Sequence, residues 1–168
     1  MTLSSIVVLF FPVLMAFAAS SDLLTMRISN VVVLILVAAF FVVALIVQLP
    51  LDVLGQHLLV AGVTLIVGFA FFAFRWIGGG DAKLAAATML WVGLGGLLPY
   101  LIYAALLGGA LTLGILALRR WPLPRQLIGV AWIERLHDAK AGVPYGIALA
   151  AAGLLVYSRT ELFQQLVA

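Results

Sequence analysis

In a chain poor in charge, two carboxylates stand beside features that could put them to use. Asp81 closes a glycine run in Gly78-Gly79-Gly80-Asp81-Ala82-Lys83-Leu84, and Asp22 lies in Ser20-Ser21-Asp22-Leu23-Leu24-Thr25-Met26-Arg27-Ile28-Ser29-Asn30. Two acids sharing a site resist double ionisation, so one can stay protonated while the other is charged. Such a pair can hydrolyse a peptide bond: the ionised carboxylate takes a proton from water, and the protonated one polarises or protonates the scissile carbonyl. It titrates as a coupled unit. Asp81 also opens an apolar segment, where the unpaired N–H groups and dipole of a helix start favour an anion. Gly78, Gly79 and Gly80 permit backbone conformations closed to other residues and leave space for a substrate strand. Lys83, just beyond, is a further candidate substrate contact. The plainer readings are a helix cap for Asp81, an interfacial acid beside Arg27 for Asp22, and a membrane-boundary anchor for Lys83.

The elements that must hold these residues are set by composition. The 168 residues are 66% hydrophobic and 9% charged, with a mean hydropathy of +1.30, which excludes an ordinary soluble domain. At about 20 residues per helical span the chain allows roughly six transmembrane helices in a single domain, 1–168. The reading is therefore an all-α polytopic membrane protein. The net charge of +3 comes without a basic stripe interleaved with aromatics, so no nucleic-acid partner is expected. No cysteine is present, which removes disulfides, thiolate metal sites and a cysteine nucleophile.

Six apolar segments are expected as helices, because backbone groups in lipid must be paired within the segment. They run from about Leu3 to Ala19, Val31 to Leu49, His57 to Trp76, Ala82 to Leu98, Tyr100 to Leu118, and Val143 to Tyr157. The first is read as a retained span, since no Lys or Arg precedes its apolar stretch. Between Arg125 and Lys140, Ile128, Trp132, Ile133 and Leu136 recur at helical spacing, which fits either a surface-lying amphipathic helix or a solvated loop with one turn. Gly93, Gly95, Gly96, Gly108, Gly109 and Gly114 are expected to let helices approach closely.

The basic residues then orient the chain. Arg27, Arg75, Lys83, Arg119, Arg120, Arg125, Arg135 and Lys140 follow spans one, three and five, leaving only Arg159 of the nine on the other side. This bias assigns the odd connections to the cytoplasm and both termini to the outside. Asp22 and Asp81 are separated by two spans and so emerge on the same, cytoplasmic, face. Other chemistries fit less well. Gly80 is followed by Asp81 where a phosphate loop needs Lys and Ser or Thr, Ser20 or Ser21 with Lys83 has no more than proximity to a boundary, and His57 and His137 fall on opposite faces, so no metal is expected.

The Gly-x-Gly-Asp pattern at Gly78 to Asp81, followed by Ala82-Lys83-Leu84 at the head of a span, resembles the signature of the type IV prepilin peptidase family of membrane aspartyl proteases. The Asp22 to Asn30 stretch is similar to that family's first motif, an aspartate followed after a spacer by Arg-x-Ile-Pro-Asn, with Ser29 where proline is common. Val143-Pro144-Tyr145-Gly146 resembles the usual opening of the last span. The resemblance implies removal of the leader peptide from prepilins at the cytoplasmic membrane boundary. Asp22 and Asp81 would be the catalytic pair, no metal or organic cofactor is implied, and the partner would be the substrate's own apolar helix in the bilayer. Larger members carry a cytoplasmic region with paired cysteines and also methylate the new N-terminus. These residues contain neither, so the resemblance is to the short, peptidase-only branch of Flp or tight-adherence systems in the bacterial inner membrane. The competing reading is a small transporter or assembly subunit that binds a proton or cation at Asp22 and Asp81; it calls for acids at mid-membrane depth in broken helices. A presenilin-type protease would place the first aspartate after tyrosine within a span, whereas Asp22 follows Ser21.

Overall fold

The structure of the protein, a computed structural model, describes residues 3–167. Long apolar runs can pair their backbone groups only within themselves, and every regular element among the described residues is accordingly helical. The helices are α1 (Leu3–Thr25), α2 (Asn30–Ile46), α3 (Leu51–Ala73), α4 (Gly79–Val92), α5 (Leu97–Leu118), α6 (Ala131–His137), α7 (Gly146–Tyr157) and α8 (Glu161–Val167), with a single 3₁₀ turn at Arg125–Leu127. Segments within α1 (Val7–Thr25), α3 and α5 are each long and apolar enough to cross a bilayer, and α7 with α8, bent by 56° at their junction, makes a fourth if counted as one. Apolar α2 has 17 residues and α4 only 14, so helices occur at all six expected places without six of them reaching spanning length.

The short α4 is the central element. Ala82, Leu84 and every residue from Ala86 to Val92 are buried, and the helix packs most heavily on α3, then on α7 and α2. Small residues permit this. A side chain at Gly68 would meet Ala82 Cβ at 3.0 Å, and one at Gly153 would meet Met15 and Thr88 at the same distance, so α3 and α7 approach α4 nearly backbone to backbone. At the far end of α4, Trp91 donates from its indole to the Leu36 carbonyl at 3.0 Å; Phe11 lies tilted against both Trp91 and Tyr157, which meet each other edge to face. Leucine, isoleucine, valine and phenylalanine cover the outer faces, among them Ile66, Phe69, Leu106 and Leu113, as a lipid-facing surface requires.

Several boundaries differ from those read in the sequence. Helix α1 continues beyond Ala19 to Thr25 because Ser20 and Thr25 turn their hydroxyls back onto the carbonyls of Ala16 and Ser21. Helix α2 stops at Ile46 rather than Leu49, where Gln48 takes a positive φ. Helix α3 begins at Leu51 rather than His57, with Asp52 favourably placed in its first turn, so His57 lies inside the helix. Helix α4 ends at Val92, not Leu98, because Gly93 turns the chain with φ of 70°. Pro99 does not separate two spans: it sits in the first turn of α5, where a missing N–H costs nothing. Helix α3 ends three residues early, and α7 begins at Gly146 rather than Val143. The interval from Arg125 to Lys140 forms the 3₁₀ turn and the two-turn α6. Arg119 holds it against the end of α5, donating to the carbonyls of Leu136, Ala141 and Gly142.

The glycines expected to serve close packing divide sharply. Gly108 has no space for a Cβ because the Tyr145 ring and hydroxyl lie against it, whereas Gly95, Gly109 and Gly114 face open space. Gly108→Ala must displace Tyr145 and is expected to cost about 1–3 kcal/mol. Gly109→Ala, one residue on in the same helix, is expected to be neutral or stabilising by up to about 1 kcal/mol. Thermal unfolding of both variants in one detergent checks the contrast; equal midpoints would refute it.

Candidate active site

Asp22 is placed by the way α1 ends. The Met26 amide closes the last turn onto the Asp22 carbonyl at 2.8 Å. Met26 then takes a positive φ of 55°, and Ser21 and Thr25 both donate to the Arg27 carbonyl, folding the chain back before Ser29 caps α2 through the Val31 amide. This leaves Asp22 on the inner side of the last turn, 5% exposed. Its Oδ2 accepts from the Gly146 amide, the first residue of α7, at 2.7 Å. A carboxylate facing a helix N-terminus gains from both the charge-assisted bond and the dipole.

Asp81 is placed by the way α4 begins. It stands in the first turn, and its Oδ2 accepts from the Gly78 amide at 3.2 Å, the acidic half of a capping box. Both aspartates line one cavity of about 310 Å³, together with Met26, Arg27, Ile28, Gly78, Gly79 and Gly80. They lie near enough for the charge of Asp22 to act on Asp81. On each acid Oδ2 is held by a backbone amide while Oδ1 has no hydrogen-bond partner among the described residues.

The three glycines have separate steric reasons. A Cβ at Gly78 would sit 2.7 Å from Asp81 Oδ2, one at Gly79 would press on the Phe72 ring at 3.3 Å, and one at Gly80 would meet Ile28 Cβ at 3.1 Å. None of the three has a positive φ, which corrects the expectation that they supply unusual backbone conformations: they supply proximity. Lys83 stands outside the cavity lining and donates to Asn30 Oδ1 at 3.0 Å, tying α4 to the head of α2. Among the described residues no three of His, Asp and Glu converge where they could hold a metal ion.

Two residues without an assigned role in the sequence complete the site. A Cβ at Gly146 would lie 2.7 Å from both Asp22 Oδ2 and Ile28 Cδ1. Ile28 therefore fills the gap between the starts of α4 and α7, and it can do so only because Gly80 and Gly146 are glycines. The signal in the sequence was a glycine at the head of each of these two apolar segments. Tyr145 points away from this gap, its hydroxyl donating to the Ala104 carbonyl at 3.1 Å.

Apolar helices around a recess that holds two acids at helix ends define a helical membrane protein with one concentrated acidic site. The model of the type IV leader peptidase family matches residues 9–113, well over half of the chain, and the chain belongs to that family. The match includes both aspartates and the glycine run; α7, with Gly146, lies beyond it. No curated protein and no solved structure matches the chain.

The steric fit of Gly146 can be tested separately from the acids. Gly146→Ala is expected to displace the Asp22 carboxylate that lines the candidate site and to lower peptidase activity about 10- to 100-fold, the scale of a small misplacement within a site. Gly62→Ala, where a Cβ meets nothing, is expected to keep wild-type activity. Rates measured on equal amounts of folded protein check this, and full activity in Gly146→Ala would refute it.

Proposed function

We propose that the protein is an aspartic endopeptidase that removes the leader from Flp-type prepilins at the cytoplasmic face of the bacterial inner membrane. One observation carries the reading: Asp22 and Asp81, distant in sequence, line the same cavity at the ends of their helices. Membership of a leader peptidase family supports the reaction class. The positions of the acids favour this reading over ion transport, which calls for acids midway along broken helices.

In this mechanism the free oxygen of one ionised aspartate takes a proton from water as the water oxygen attacks the scissile carbonyl carbon. The second aspartate, protonated, donates to the carbonyl oxygen. The tetrahedral intermediate collapses as the C–N bond breaks and the leaving amine takes a proton from the pair. The amides of Gly146 and Gly78 fix the orientation of the two carboxyls, and Gly78, Gly79 and Gly80 line the cavity that the peptide enters. The substrate's apolar helix stays in the bilayer beside the enzyme. We assign α1 to α5 and α7 as six membrane segments, with both termini outside the cytoplasm, on the distribution of basic residues.

Co-expression with a small pilin precursor from the same genome tests the pair. Asp22→Ala and Asp81→Ala are each expected to reduce leader removal at least about 100-fold, the scale of general acid–base catalysis, with both proteins present in the membrane at wild-type levels. Cleavage that persists in both variants would overturn the assignment.

A further inference from the structure

Beyond the far end of α4, Gly93-Leu94-Gly95-Gly96 links it to α5 and borders a second cavity of about 210 Å³. Gln56, His57, Arg159 and Glu161 also line it. His57 is 6% exposed, and its Nδ1 lies 2.6 Å from the Leu90 carbonyl. A carbonyl only accepts, so Nδ1 carries a proton, and in that tautomer Nε2 is an acceptor. Among the described residues Nε2 has no hydrogen-bond partner. The ring packs against Gly93, where a Cβ would come within 2.8 Å of Cε1. The amides of Leu94, Gly95 and Gly96 likewise find no acceptor among the described residues.

This recess offers two opposed sets of groups. Arg159 and the free amides suit an anion, as phosphate sites at helix starts do. Glu161 and the bare Nε2 suit a cationic donor with N–H bonds to give. A simple anion would meet the Glu161 charge, and a simple cation would meet Arg159.

We propose that this cavity binds a phosphoethanolamine group, with phosphate at Arg159 and the Gly95 and Gly96 amides and ammonium at Glu161 and His57 Nε2. Such a group comes either as the headgroup of phosphatidylethanolamine or as the free phosphate ester. A choline headgroup has the same charges but no N–H for Nε2. Glycerol phosphate has no cation for Glu161. The site lies at the opposite end of α4 from the aspartates and is independent of their chemistry.

The test uses the full chain, delipidated in detergent. Retention of phosphatidylethanolamine, phosphatidylcholine and phosphatidylglycerol at equal mole fraction is read by native mass spectrometry, and binding of soluble phosphoethanolamine by calorimetry. Phosphatidylethanolamine or the soluble ester is expected to bind at least about tenfold more tightly than its choline and glycerol counterparts, and the arm that binds identifies the source. Arg159→Gln and Glu161→Gln, both at exposed positions, are expected to weaken binding about tenfold each without changing leader peptidase activity. Gly95→Leu, whose side chain starts from open space beside the cavity, is expected to weaken it as well. Equal retention of the three lipids with no binding of the soluble ester would overturn the proposal. So would binding unaffected by all three substitutions.

Discussion

The bond from the Gly146 amide to Asp22 Oδ2 joins the end of the first helix to the start of the seventh, 124 residues away. The architecture around the cavity depends on that contact. A carboxylate removed from water needs donors, and in an apolar bundle the available donors are the unpaired amides at helix starts. Asp22 is therefore satisfied only if α7 brings its N-terminus directly against the last turn of α1, which leaves no room for a side chain on residue 146. Asp81 meets the same need locally by capping its own helix. One acid is bound across the fold and the other within its own turn, yet both line the same recess.

Ile28 shows how packing and polarity cooperate here. It is an apolar residue in a polar connection, and its side chain occupies the space left by Gly80 on one side and Gly146 on the other. The starts of α4 and α7 are thereby held at a distance set by one aliphatic side chain. A larger residue at either glycine would push Ile28 and a helix start together, and the acids would move with them. The Lys83–Asn30 bond adds a second tie between α4 and the connection that carries Ile28.

Much of this was legible in the sequence because it rests on local rules. Helix positions followed from apolar runs, and the pairing of Asp22 with Asp81 on one face followed from counting two intervening segments. What the sequence hid was where helices stop. Ser20 and Thr25 look like loop residues, but at the end of an apolar helix their hydroxyls return to carbonyls one turn back and extend it. Pro99 looks like a break, yet it begins a helix. The role of Gly146 could not be read locally, since a glycine at the head of a segment has one meaning when it faces solvent and another when a distant carboxylate lies against it. Gly108 and Gly109 make the same point: adjacent in sequence, only one faces a ring.

The length of α4 connects the two cavities. Fourteen residues make a helix about 21 Å long, well short of a hydrocarbon layer of about 30 Å. Because α4 is enclosed by α2, α3 and α7, lipid does not fill the shortfall at its ends. Each end instead borders a recess: α3 runs on past the far end of α4, where His57 lies against Gly93, while at the start of α4 Phe72, one residue from the end of α3, lies beside Gly79. At its start that recess holds the two aspartates; at its end it is lined by His57, Arg159 and Glu161. The space for ionisable groups at both ends of this enclosed helix is thus a consequence of its length: a longer α4 would fill one recess or the other with its own apolar turn.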